Sequence, residues 1–173
     1  MQPFPGKRGV LYEEVRQMSQ QEREQAVHRW GDMVWRLALA RTANVSDAED
    51  VFQEVFLRYF RHEHKLSDDE HRKAWLIRCT VNRANSLLTS AFRRHTAPLE
   101  EAAPIGVADE YREVYSVVLS LPAKYRAVIH LFYFEGLSVA EIAAVLGTAE
   151  GTVKSQLSRG RALLRDALKE VEL

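Results

Sequence analysis

The sequence predicts an all-α protein of two small helical domains joined by a flexible linker, the second containing a helix-turn-helix. Three observations lead there. Apolar residues recur at three- and four-residue steps, the period of a helix rather than of a strand. Ser–Glu pairs three residues apart stand ahead of several of these runs, the spacing of a capping box. The periodicity lapses at 96–108, where Pro98, Pro104, Gly106, Glu100 and Glu101 replace it. The first domain is therefore expected at 10–95, the linker at 96–108 and the second domain at 109–173.

Each element has its own signal. Pro3, Pro5, Gly6 and Gly9 keep the start irregular, and Val10–Met18 can add a short helix. Ser19 and Glu22 open a helix carrying Val27, Trp30, Val34 and Leu37, which ends near Ala43 or Asn44. Ser46 and Glu49 cap a second helix with Val51, Phe52, Val55, Phe56, Tyr59 and Phe60 on one face. After a polar loop at 61–69, Ser67 and Glu70 offer a third cap, for a helix running from Trp75 to about Arg94. Beyond the linker, Tyr111, Val114, Tyr115, Val118 and Leu121 form one helix. Pro122 suits the first turn of the next, and Gly136 ends it. Ser138 and Glu141 cap a very short helix, Gly147 makes the turn, and Thr148 caps a last helix with Val153, Leu157, Leu164 and Leu168 buried.

Composition narrows the function. Of 173 residues, 46% are apolar and 28% charged, a folded composition. No apolar run approaches the ~20 residues of a membrane span. Met1-Gln2-Pro3-Phe4-Pro5 has no signal-peptide core, so a cytoplasmic location is expected. Basic and acidic residues balance at 24 each, which excludes a general basic coat but not a local one. Asp47, Glu49, Asp50 and Glu54 make the second helix acidic, and Glu54 lies too far along it to serve the helix N-terminus. From His71 to Leu99 there are six basic residues (Arg72, Lys73, Arg78, Arg83, Arg93, Arg94) and no acid. This asymmetry suggests two partners of opposite character. Cys79, the single cysteine, forms neither an internal disulfide nor a cysteine zinc cluster, and reads as a small buried residue. The spacing of His62, His64 and His71 matches no metal pattern. There is no glycine-rich phosphate loop and no nucleophile–base set, so neither enzyme activity nor a cofactor is expected.

The last helix pair points to duplex DNA. The second helix of such a pair docks in the major groove with its N-terminal turns toward the bases. Its outward set is Glu150, Gly151, Lys154, Ser155, Gln156 and Arg159, with Arg161 as a further cation for phosphate or guanine. Thr152 reads as a cap or backbone-facing residue rather than a base reader.

Two motifs carry a family resemblance. Asp47-Ala48-Glu49-Asp50-Val51-Phe52-Gln53-Glu54-Val55-Phe56 resembles the polymerase-binding helix of region 2 of sigma-70 factors. Gly136-Leu137-Ser138-Val139-Ala140-Glu141-Ile142-Ala143, followed by Gly151 to Arg161, resembles their region 4 helix-turn-helix. With a linker between them, the chain is similar to the small extracytoplasmic-function (ECF) group of RNA polymerase sigma factors over about residues 20–168. The resemblance implies a non-enzymatic factor that binds core RNA polymerase and directs it to promoter DNA. Asp47, Glu49, Asp50, Gln53 and Glu54 would dock on the largest polymerase subunit. Arg72, Lys73, Trp75, Arg78, Asn82, Arg83 and Asn85 would hold the melted strand, with the 61–69 loop near a flipped base. The domain at 109–173 would read the distal promoter element through Thr148, Glu150, Gly151, Thr152, Lys154, Ser155, Gln156, Arg159 and Arg161. For Trp75, core packing outweighs base stacking, because Ala74-Trp75-Leu76-Ile77 is apolar throughout. The family also implies an anti-sigma factor as a regulatory partner. Gln156 stands where a basic residue is common, and Gly160 replaces the usual alanine. The competing readings are a stand-alone helix-turn-helix regulator that does not join polymerase, and an adaptor built on the same scaffold.

Overall fold

A computed structural model describes residues 18–92 and 112–171. The possible helix at Val10–Met18, save Met18, the linker at 96–108, Arg93, Arg94 and Tyr111 lie outside the described residues. Within them the chain is all-α. Helices α1 (Gln20–Thr42), α2 (Val45–His62) and α3 (Asp69–Phe92) form one cluster. Helices α4 (Arg112–Ser120), α5 (Ala123–Ile129), α6 (Val139–Leu146) and α7 (Glu150–Val171) form the other.

The helix boundaries follow local chemistry. Ser19 and Glu22 form the expected reciprocal cap, and so do Ser138 and Glu141. Two other caps are corrected. α2 starts at Val45, because the Asn44 side chain accepts the Asp47 N–H at 2.9 Å, leaving Ser46 inside the first turn. α3 is capped by Asp68, whose Oδ1 accepts the His71 N–H at 2.8 Å, while Ser67 merely donates to the other carboxylate oxygen at 3.2 Å. In both places an Asn or Asp competes with serine for the same free N–H groups. α7 likewise starts from Ala149, whose carbonyl accepts the Val153 N–H at 3.2 Å, so Thr148 is not its cap. Pro122 sits at the cap position of α5, one residue ahead of the first turn. The expected loop at 61–69 is shorter: α2 runs to His62, a 3₁₀ turn covers Glu63–Lys65, and Leu66 is buried.

Val34, Leu37, Val51, Val55, Leu76 and Val81 are fully buried between α1, α2 and α3. Tyr115, Val118, Val128, Leu131, Ile142 and Val153 play the same part in the second cluster. α5 continues into a wider turn of π geometry at His130–Phe134. There the His130 ring stacks on Phe134, and its Nε2 meets Glu135 Oε1 at 3.1 Å. Gly136, at φ +69°, and Gly147, at φ +64°, make the two turns that set α6 between α5 and α7. The two clusters share one continuous apolar core rather than standing apart.

Candidate functional site

On α2 the acidic residues divide into two groups. Glu49, Asp50 and Gln53 are exposed. Glu49 and Gln53 line a groove of about 560 Å³ whose other wall is Val27, Gly31, Asp32 and Trp35 of α1, with Phe52 at its base. Asp47 is half-buried, and burial, together with Asp50 beside it, lifts its carboxyl above the usual range. Glu54 is different. Its carboxylate pairs with Arg58 one turn on and with Arg83 of α3. The acidic and basic helices are thus tied to each other, and the charge segregation in the sequence is partly neutralised within the molecule.

The basic residues of α3 also divide. Arg72 pairs with Glu63 at 2.8 Å and Asp69 at 3.4 Å; burial works against its charge, but these acids outweigh it and raise its pKa. Asn85 accepts a hydrogen bond from Arg41 of α1. Lys73 donates to the Glu135 carbonyl of the second cluster at 2.9 Å. Trp75 is half-buried, with its ring 6.1 Å from Tyr59 and stacked on His62 at 5.9 Å. Arg78 and Asn82 are exposed. Cys79 is half-buried, and burial pushes its thiol pKa up, away from the reactive thiolate. The structure therefore does not gather the seven residues into one open patch: Arg72, Arg83 and Asn85 are held by partners within the first cluster and Lys73 by the second.

The first turns of α7 present a continuous outward row. Glu150, Gly151, Thr152, Lys154, Ser155, Arg159 and Arg161 are exposed, and Thr148 and Gln156 half-buried. A Cβ at Gly151 would meet nothing within 4 Å, so no internal packing demands this glycine. Gly160 is the opposite case. A Cβ there would lie 3.0 Å from the buried Ile129 side chain, so the glycine lets α5 and α7 approach. Two residues of this surface carry little signal in the sequence. Lys124 and Tyr125 of α5 complete a groove of about 330 Å³ with Gly151, Thr152, Ser155, Gln156 and Arg159. Hydrogen bonds from Lys124 and then Arg159 lower the Tyr125 phenol pKa. A cation just after Pro122 is their one trace in the chain. A second groove, of about 490 Å³, is equally hard to foresee. Val114, Val118, Tyr133, Leu164 and Leu168 line it, and Arg161, Arg165 and Lys169 stand beside them. Tyr133, a hydroxyl-bearing residue within an apolar run, is its one trace in the sequence, and in the structure it is 53% exposed.

Comparison with known proteins places both clusters. The sigma-70 region 2 family model matches residues 26–94, and the sigma-70 region 4 model matches residues 111–164. The ECF RNA polymerase sigma factor SigL of Mycobacterium tuberculosis is 33% identical over 149 residues, covering 80% of this chain and 84% of SigL. SigE of Mycolicibacterium smegmatis is 34% identical over 161 residues, covering 84% of this chain; the matched region spans only 61% of SigE's length. Among solved structures, the sigma factor RpoE in complex with the anti-sigma factor NepR from Bartonella quintana superposes with a TM-score of 0.66 at 24% identity. That match covers 84% of this chain and 96% of RpoE. CnrH in complex with the cytosolic domain of CnrY gives a TM-score of 0.58 at 27% identity, over 93% of this chain and 96% of CnrH.

Proposed function

The chain belongs to the ECF group of sigma-70 family sigma factors, and we propose that it binds core RNA polymerase and directs it to a specific class of promoters. One observation carries the reading: a single chain holds both an exposed acidic row on α2, bordering a half-apolar groove, and an outward helix-turn-helix surface on α7. The first suits a basic protein partner. The second suits duplex DNA. A stand-alone regulator would need only the second.

In this reading Glu49, Asp50 and Gln53 make the polymerase contact, with Asp47 at its edge and Glu54 acting mainly through Arg58 and Arg83. Lys154 and Arg159 contact the distal promoter element, and Ser155 and Gln156 contribute to its specificity. Lys124 joins them as a phosphate contact beside Arg159. On α3, Lys73, Arg78 and Asn82 handle the separated strand. The family's solved complexes support an anti-sigma factor as a further partner, and the chain carries no catalytic chemistry. Among the described residues no helix is long and apolar enough to cross a membrane.

The test is transcription by purified core polymerase on fragmented source DNA, with and without the chain. Discrete new start sites are the expected result. Core binding without initiation would support the adaptor instead. Duplex binding without core binding would support the stand-alone regulator.

A further inference from the structure

The groove at the start of α7 has one wall from another helix. Lys124 and Tyr125 of α5 stand across it from Gly151, Ser155 and Arg159 of α7, and no acid lines it. Gly160, one residue past Arg159, is buried. A Cβ there would lie 3.4 Å from the Tyr125 Cβ, besides crowding Ile129 at 3.0 Å. The bare backbone of α7 thus comes up against the base of the Tyr125 side chain, next to Arg159.

Tyr125 sits between two cations. It is half-buried, while Lys124 and Arg159 are exposed. The Lys124 ammonium lies 4.9 Å from the centre of the Tyr125 ring, within cation–π range. The Tyr125 hydroxyl accepts hydrogen bonds from Lys124 and from Arg159. One phenol thus links a cation of α5 to a cation of α7. A carboxylate in its place would neutralise them, whereas a neutral phenol restrains the side chains and leaves their charge available to an anion. Long cationic side chains give up rotamer freedom on binding. Cations restrained beforehand lose less of it, so they hold a phosphate more tightly.

We propose that Tyr125 is a positioning residue of the duplex-binding surface, whose phenol holds Lys124 and Arg159 ready for the phosphate backbone. This rests on the reading of α7 as the helix that meets duplex DNA. Tyr125 itself touches neither base nor phosphate; it acts through the two cations. Gly160 is the other half of the arrangement, since a side chain there would crowd the Tyr125 Cβ.

The experiment measures binding of the full chain to a fluorescent mixed-sequence duplex by anisotropy across a salt series. Tyr125→Phe removes the hydroxyl and keeps the ring that Lys124 covers. The substitution is made in the parent and again in a Lys124→Ala, Arg159→Ala background. A urea titration of every variant reports the stability of the fold.

Tyr125→Phe should weaken duplex binding about fivefold, the scale of side chains that lose their preorganisation. The log–log salt slope should stay as in the parent, because no cation has been removed. In the background without the two cations the slope should be shallower by about 2, and Tyr125→Phe should have no further effect. Parental affinity in Tyr125→Phe would overturn the proposal. A loss that persists without Lys124 and Arg159 would make Tyr125 a direct contact and overturn it equally. So would a lowered urea midpoint with weaker binding in both backgrounds, the mark of a purely structural role. A parent chain that binds no duplex would reject the reading of α7 itself, and that failure is visible before any substitution is made.

Discussion

Glu54 shows how one side chain can mislead a charge-based reading. Its position suggests a docking residue, but it holds Arg58 and Arg83. Asp50 is exposed, two turns from any such partner in its own helix. Charge reversal should separate the two. Asp50→Lys should weaken capture of core polymerase while leaving the urea midpoint unchanged. Glu54→Lys should cost about 1 kcal/mol of stability, the range of a partly exposed ion pair turned repulsive, as well as any binding. Equal loss of stability in both variants would remove the distinction. Gly160 offers a second single-residue test. Alanine there gains about 1 kcal/mol of helix propensity but sets a methyl group 3.0 Å from Ile129, which is 1% exposed and has to shift by a few tenths of an ångström. Overpacking of this kind costs about 1–3 kcal/mol. Gly160→Ala should therefore be destabilising, and adding Ile129→Val should recover much of the loss in a denaturant titration.

At the scale of an element, the caps explain what could be read from the chain. Ser19–Glu22 and Ser138–Glu141 were legible because the rule that makes them is local and no neighbour competes. At Asn44 and Asp68 a competing side chain one or two residues away captured the helix start. The α6 cap can be titrated. Hydrogen bonds from the Ser138 hydroxyl and then its N–H hold the Glu141 carboxyl below its ordinary value of 4.5, with Lys73 adding to the effect. A depressed acid contributes stability that is complete above the unfolded value and disappears as pH falls through the folded one. The stability difference between parent and Glu141→Gln should be constant near neutrality and shrink below pH 4.5; a difference that grows on acidification would contradict the cap. On α7, Lys154→Ala and Arg159→Ala should each lower duplex affinity and reduce the log–log salt slope by about 1 for every phosphate left without its cation. Fluorescence anisotropy across a salt series measures it, and an unaltered slope would remove that residue from the interface.

For the whole molecule, the helices and the two-cluster division were visible in the periodicity, but their mutual packing was not. Arg126 lies inside the run Ala123–Ile129, and nothing local marks it as a link to carbonyls at Ala40 and Arg41. The Glu54–Arg83 pair is equally silent in sequence, since it depends on how α2 and α3 are turned toward each other. The outward row on α7 was legible because helix period and turn chemistry suffice to orient it. The basic run on α3 was only half legible, because Arg72, Arg83 and Lys73 are held by groups on other elements.

The Arg126 contacts also bear on melting. One guanidinium closes on four carbonyls, two at the end of α1 and two at the end of α4, so neither cluster can unfold without breaking bonds held by the other. A chain tied in this way is expected to melt as one cooperative unit rather than as two independent domains.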